Sequence, residues 1–332
     1  MFRDFQTKYY KTYPNKAEKV KRFKIWKQRT DLMKDHNELF HKGEKAYTKG
    51  ENAMFDMTPE EIEESYMGLS LDVYPKSYSS KVSTDISHLP SFVNWTEKGH
   101  VTPVQNQVGC GSCWAYSAAG ALEGSYKKDT NRLANINVSY LIDCITDGCK
   151  KSNPVTAFTH IMLNGIVIDN EVYRSPTSGF RHEAQRSPTN NSFSKTHGIH
   201  ETFGTLTNNS FHADQNRKSQ CELENKNAVI IRGIWRINNG REDKLMEAVA
   251  KIGPVSVLIC ASMDLVDYAG EVDEVFYEEN CSAACNIHPH VNHAALVVGY
   301  GKQINERTGE NESYWLVKNS WGTDWGNEVL SK

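Results

Sequence analysis

No cysteine precedes position 110, and eight follow, at 110, 113, 144, 149, 221, 260, 281 and 285. That absence excludes cross-links from the leading third. The later cysteines point to maturation in an oxidising compartment. Asn-x-Ser/Thr sequons at Asn94, Asn137, Asn190, Asn208 and Asn311 agree in direction. The chain lacks an apolar run long enough to span a membrane, which excludes a helical membrane anchor within it. A secretory leader is also missing, since Met1-Phe2-Arg3-Asp4 leads straight into polar, helical sequence. Taken alone this favours the cytosol, against the cysteines. Charge of one sign is lacking too: 38 Lys and Arg face 41 Asp and Glu, a net −3, so composition makes no case for a nucleic-acid partner. What is present is a 39% hydrophobic fraction, enough for packed cores, in 332 residues, enough for one large domain or two modest ones.

Residues 1 to about 70 read as helical. Phe2, Phe5, Tyr9 and Tyr13 recur every three or four positions, Pro14-Asn15 breaks the pattern, and a long helix is expected over Lys16–Phe40. Its apolar side is read as Val20, Phe23, Ile25, Trp26, Leu32 and Met33, with the interleaved lysines on a solvated face. Thr58-Pro59-Glu60-Glu61 has the cap, proline and acids of a helix start. Residues 71–88 read as a linker suited to proteolytic cutting. A second block, 89–332, opens with helices at 114–127, 137–143 and 154–164 and turns to strands in Val255–Ile259, Ala294–Val298 and Tyr314–Lys318. This order predicts an α+β fold in two lobes. The polar stretch 174–220 is read as a surface insertion.

The strongest local signal is Gln107-Val-Gly-Cys110-Gly-Ser-Cys113-Trp114-Ala-Tyr. It sets Cys113 at the start of an Ala-rich helix, where unpaired N–H groups and the helix dipole favour a thiolate. Such a nucleophile needs a base, and the base needs an orienting group.

Cys-Gly-Ser-Cys-Trp resembles the nucleophile signature of the papain and cathepsin cysteine protease family. Val291-Asn292-His293-Ala294 with the apolar run after it resembles the family's histidine strand, and Trp315-Leu-Val-Lys-Asn319-Ser-Trp321-Gly322 its asparagine segment. The resemblance implies a papain-like two-lobe fold, a helical lobe plus a β-barrel-like lobe, behind a helical propeptide. It implies a peptide-hydrolysing enzyme of the cathepsin L type in which Cys113 attacks, His293 is the base, Asn319 orients it, Trp321 shields that hydrogen bond, and Gln107 serves the oxyanion. It further implies Cys110–Cys149 and Cys144–Cys221 disulfides, and an apolar pocket from Asn153, Pro154, Val291 and Ala294 for the second residue before the cut. Glu18, Arg22, Trp26, Met33 and Asn37, with Arg29 where Asn is usual, match the family's long propeptide helix, and Gly50-x-Asn52-x-Met54-x-Asp56 its second propeptide motif. The leading segment would then block the cleft in reverse until acid loosens its salt bridges. No cofactor or metal is implied. Expected partners are protein or peptide substrates and the chain's own propeptide; no nucleic acid, no membrane and a monomeric state are expected.

His293 lies 180 residues after Cys113 (293 − 113), beyond the family's 130–150, by about the size of the 174–220 stretch. Other departures bear on activity. Lys151 and Ser152 stand where the family has Gly-Gly, so their Cβ atoms are expected either to narrow the cleft or to change its backbone geometry. Val108 replaces a glycine. After Gly326 the sequence ends before the family's final strand, so a truncated C-terminus and an open sheet edge are expected. These features motivate a rival reading as a catalytically inactive homologue. A second rival is a metal-binding module on Cys281, Cys285, His288, His290 and His293. The N-terminus is expected to be incomplete, which leaves a lysosomal or extracellular location.

Overall fold

The computed structural model describes residues 1–70, 86–146, 148–168, 221, 228–238, 240–270, 274–278, 291–304, 309, 311–326 and 330–331. Most of the linker, the 174–220 stretch and Cys281, Cys285, His288 and His290 lie outside them.

Three helices open the chain: α1 (Phe2–Lys8), α2 (Lys16–His41) and α3 (Pro59–Tyr66). Asn15 caps α2 by accepting from the Glu18 N–H. Thr58 and Glu61 cap α3 reciprocally, with Pro59 in the first turn where its missing N–H is harmless. Phe5, Trp26 and Phe55 pack into a small core between α1 and α2. The expected apolar side of α2 is partly wrong. Val20, Phe23 and Leu32 are 45%, 41% and 57% exposed, whereas Arg29, Thr30 and His36 are buried. The inner face of this helix meets carboxylates and backbone carbonyls, so polar groups that pair with them turn inward.

The helical lobe holds α4 (Cys113–Thr130), α5 (Val138–Leu141) with a π-turn over Ile142–Thr146, and α6 (Pro154–Asn164). Trp114, Leu122, Tyr140 and Ile161 fill its core. Short strands β2 (Ile166–Val167) and β3 (Ala228–Val229) pair beside it. The other lobe is a five-stranded antiparallel sheet. Its long central strand β5 (His293–Ile304) takes β6 (Asn311–Lys318) on one side; β4 (Val255–Ile259) and β1 (Val93–Asn94) share the other. Two helices, α7 (Glu242–Lys251) and α8 (Met263–Val266), flank β4. The expected open edge is corrected: β7 (Leu330–Ser331) pairs with β6 opposite Val317 and Lys318. Backbone pairing supplies this strand without the family's usual sequence.

The lobes meet where α4 crosses β5. Gly120 permits this approach, since a Cβ there would lie 2.6 Å from Leu296 Cδ2. The crossing brings the start of α4 to the start of β5, where the Cys113 thiol meets the backbone of Ala294, the residue after His293.

Candidate active site

Cys113 begins α4, so its own N–H precedes the first helical bonds, which run from Ala115 and Tyr116 to the Ser112 carbonyl. The loop before it is fastened by the Cys110–Cys149 disulfide, with Cα atoms 4.9 Å apart; Cys144 and Cys221 are bonded likewise at 5.6 Å. Among the described residues Cys113 is the free thiol, and it is fully buried. Burial pushes the thiol up to about 11, against the N–H groups of Ala294, Gly68 and Trp114 and the charge of Lys151. In this state the sulfur keeps its proton at neutral pH.

His293 is also fully buried. Burial pulls its imidazole down to about 4, against Asn319 and the Tyr66 backbone, so the ring is neutral. The ring nitrogen Nε2 lies 2.9 Å from Asn319 Oδ1, and the same oxygen accepts from the Ser320 N–H at 2.8 Å. An oxygen already accepting one hydrogen bond calls for a donor, which places the ring proton on Nε2 and the lone pair on Nδ1. The Tyr66 backbone lies near the ring, but Nδ1 makes no well-formed hydrogen bond among the described residues. The Trp321 ring covers the imidazole with centroids 4.8 Å apart.

Gln107 is buried, its Oε1 accepting from Ser320 Oγ at 2.7 Å and its N–H bonded to the Ser320 carbonyl. Thus held, its Nε2 donates to the Tyr66 carbonyl at 2.9 Å and to the Cys110 carbonyl at 2.7 Å. The amide of Gln107 therefore presents a donor to a peptide carbonyl next to the thiol.

That carbonyl belongs to the leading segment, which crosses the cleft after α3. Gly68 accepts from the Ser152 N–H at 2.9 Å, Ser70 donates to the Ser152 carbonyl at 2.7 Å, and Leu69 N–H meets the Asn292 carbonyl at 3.4 Å. The Leu69–Ser152 pairing is parallel. Gly68 is required here, because any Cβ would sit 2.0 Å from the Gly111 oxygen. The Ser152 backbone makes both ladder bonds, so its Cβ does not interrupt this pairing. Val108 does take an unusual conformation, φ +44°, with its side chain half in solvent. Asn153 caps α6 and reaches the Ser70 carbonyl at 3.3 Å, and Pro154 follows it, buried. These two continue the wall that holds Ser152. Val291 and Ala294 flank Asn292 and His293 on the facing wall.

The leading helices dock on the sheet lobe around α8. The Gly50 N–H bonds to the Asp267 carbonyl and the Ala269 N–H to the Thr48 carbonyl. Asn52 Nδ2 donates to the Val266 carbonyl at 2.7 Å, and Glu274 takes both Thr48 groups. Arg29 pairs with Asp267 while its guanidinium lies 4.6 Å over the Phe55 ring. Glu18, Arg22 and Glu61 form one ion cluster. Trp26 donates to Glu51, Asn37 brackets the Lys49 backbone, and Asp56 takes Lys11 and the Tyr13 hydroxyl. Tyr47, Met54, Ile62 and Met67 enter one core with Leu265, Tyr268, Trp321 and Trp325. Sequence reasoning missed Tyr66 and Gly68–Ser70 as the crossing segment and Asp264, Asp267 and Glu274 as docking acids. A helix end followed by Gly was the available signal for the first; the second had none, because both partners lie far apart in the chain. No group of metal-ligating side chains occurs among the described residues.

Comparison with known proteins agrees with this geometry. Residues 89–332 match the family model "Papain family cysteine protease", and residues 2–62 match the "Cathepsin propeptide inhibitor domain". The chain is 33% identical to cathepsin K of Mus musculus over 323 residues, covering 96% of this chain and 82% of that protein. It is 33% identical to cathepsin J of Rattus norvegicus over 331 residues, 98% and 84% of the two. Among solved structures, digestive procathepsin L 3 of Tenebrio molitor larval midgut superposes with a TM-score of 0.69 at 29% identity, covering 98% of this chain and 90% of that one. The chain belongs to the papain family of cysteine proteases and carries the family's cathepsin-type propeptide inhibitor domain ahead of its peptidase domain.

Proposed function

We propose that this zymogen matures into an endopeptidase in which Cys113, His293, Asn319 and Gln107 do the chemistry. With the propeptide gone, the cleft admits water and substrate, and the desolvation that holds the thiol up and the imidazole down is relieved. The proton passes from Cys113 Sγ to His293 Nδ1. The thiolate attacks the scissile carbonyl carbon, and the oxyanion is met by Gln107 Nε2 and the Cys113 N–H. His293 gives its proton to the leaving amine as the C–N bond breaks, leaving a thioester. Water, deprotonated by His293, then releases the acid and restores the thiol. Asn319 keeps the ring in the tautomer this needs, and Trp321 keeps water from that bond.

The observation that carries this reading is the Tyr66 carbonyl on Gln107 Nε2, where a developing oxyanion would be held. Inhibition follows from direction. If Ser152–Pro154 and Val291–Ala294 receive the amino-terminal side of a substrate, the propeptide runs the opposite way, since its later residues Leu69 and Ser70 lie there. Residues 1–70 thus act as inhibitor, 71–88 as the region cut on activation and 89–332 as the mature enzyme, a monomer acting on proteins or peptides. The disulfides favour a lysosomal or extracellular setting.

The test is incubation of the full chain at about pH 4.5 with a thiol reductant, beside Cys113→Ala. Cleavage near residue 89 and hydrolysis of a peptide with a hydrophobic second residue before the cut are expected of wild type alone. A folded wild type as silent as Cys113→Ala would establish the inactive-homologue reading, which Lys151 and Ser152 motivate.

A further inference from the structure

Glu63 on α3 lies across the mouth of the cleft and touches both walls. Its Oε2 accepts from Asn292 Nδ2 at 3.0 Å, and its Oε1 is 3.7 Å from Lys151 Nζ. Lys151 also donates to the Glu63 carbonyl at 3.3 Å. Lys151 belongs to the helical-lobe wall, one residue before the Ser152 ladder. Asn292 belongs to the sheet-lobe wall, one residue before His293. One carboxylate therefore joins a cation and an amide donor from opposite lobes.

The amide is set in advance. Asn292 Oδ1 accepts from the Ala261 N–H at 2.8 Å, and one Nδ2 hydrogen goes to the Ala261 carbonyl at 3.2 Å. Both bonds lie within the enzyme domain, so the second Nδ2 hydrogen stays aimed at the cleft when Glu63 leaves with the propeptide. Lys151 then loses its carboxylate as well. Its charge already bears on the Cys113 thiol.

We propose that Lys151 and Asn292 form a carboxylate seat, filled by Glu63 in the zymogen and by an acidic side chain of the peptide substrate in the mature enzyme. This rests on the protease reading above. An extended substrate alternates its side chains. If its second residue before the cut enters the apolar pocket, its first and third face the other way, toward the mouth where Glu63 lies. An acid at one of those positions takes the seat, making Lys151 a determinant of specificity at a place where the family carries no side chain.

Both charged groups are over a third exposed, at 42% for Lys151 and 36% for Glu63. The preference is accordingly modest, about fivefold for Glu over Gln at low salt, and shrinks as salt is added. The test uses enzyme matured from the full chain and paired fluorogenic tetrapeptides. Each pair shares one hydrophobic second residue and carries Glu or Gln at the first or third position before the cut. At about pH 5.5 the glutamate is ionised. The readout is the Glu-to-Gln ratio of kcat/KM within each enzyme, so any general change in activity cancels. Wild type should give a ratio of about five at one of the two positions and Lys151→Gly a ratio near one, while Lys151→Glu should favour Lys over Gln there. Brisk hydrolysis with a ratio of one at both positions, or a ratio unmoved by Lys151→Gly, overturns the seat and leaves the protease reading intact. No hydrolysis of any peptide, Gln pairs included, overturns the protease reading and the seat with it.

Discussion

Two interfaces join helices to the sheet lobe, and they are built differently. Between α4 and β5 the contact is close: Gly120 against Leu296, Ser117 bonded to the Ala295 carbonyl, and a chain from the half-buried Lys318 through the buried Thr102 to the buried Glu123. Burial pushes the Glu123 carboxyl up and the Lys318 amine down, each opposed by the other's charge. Between the propeptide and α8 the contact combines a few aromatic side chains with ion pairs, a buried one at Arg29–Asp267 and one nearer the rim at Lys49–Asp264. The first must outlast activation and the second must yield to it. Pairs sealed from water respond little to solvent, whereas pairs at a rim answer to pH and salt.

The sharpest break in this contrast comes from Lys318→Met. It leaves the buried Glu123 without the cation at the end of its hydrogen-bonded chain and should cost about 3 kcal/mol of enzyme stability in urea unfolding. Adding Glu123→Leu should recover most of the loss, and a neutral single variant would show that the network does not hold the lobes. Arg29→Met acts on the other interface only. Asp267, whose carboxyl burial already pushes up despite Arg29, can take a proton once alone. Docking should weaken by about 2 kcal/mol, roughly thirtyfold, read as earlier self-cleavage near neutral pH with the mature enzyme unchanged.

The pH response sharpens the comparison next. Burial raises the Glu61 carboxyl, but hydrogen bonds from Arg22, the Thr58 N–H and Lys21 outweigh it and hold the group at about 2. A depressed carboxylate contributes stability above its ordinary 4.5 and loses it only as pH falls toward 2, so this cluster survives mild acid. The expectation that salt bridges release the propeptide therefore fails for Glu61. His36 behaves otherwise. Burial pulls its imidazole below the ordinary 6.5, against the Tyr47 carbonyl it bonds at 2.9 Å; Lys49 and Lys45 push the same way as burial, and Asp264 opposes them. Its contribution is complete above 6.5 and is lost as pH falls below it. Zymogen melting followed from pH 7.5 to 4.5 should fall less steeply in His36→Gln than in wild type, with any offset between them at pH 7.5 constant up to pH 8. Parallel curves would remove His36 as the trigger. The smallest effect belongs to Val108→Gly. Relieving φ +44° on an exposed β-branched residue should add about 1 kcal/mol to zymogen and mature enzyme alike, seen as a rise of a few degrees in Tm.

By itself the sequence determined most helices and strands, because these rest on local chemistry, and it carried the papain-family motifs on which the proposed catalytic roles rest. A cysteine at the start of an Ala-rich helix, a capping box at Thr58 and a β-branched run after His293 each declare themselves within about ten residues. Only the tertiary structure decided which face of α2 turns inward, since Arg29 and His36 are buried for partners at Asp267 and Tyr47 that no periodicity reveals. It also supplied β7 from a tail that did not read as a strand, showed the Ser152 backbone pairing despite its Cβ, and put Glu63 between Lys151 and Asn292. The physical reason is common to all four. Burial of a polar group, pairing of a strand and coordination of a charge are settled by partners distant in the chain, and short-range patterns carry no record of which partners will meet.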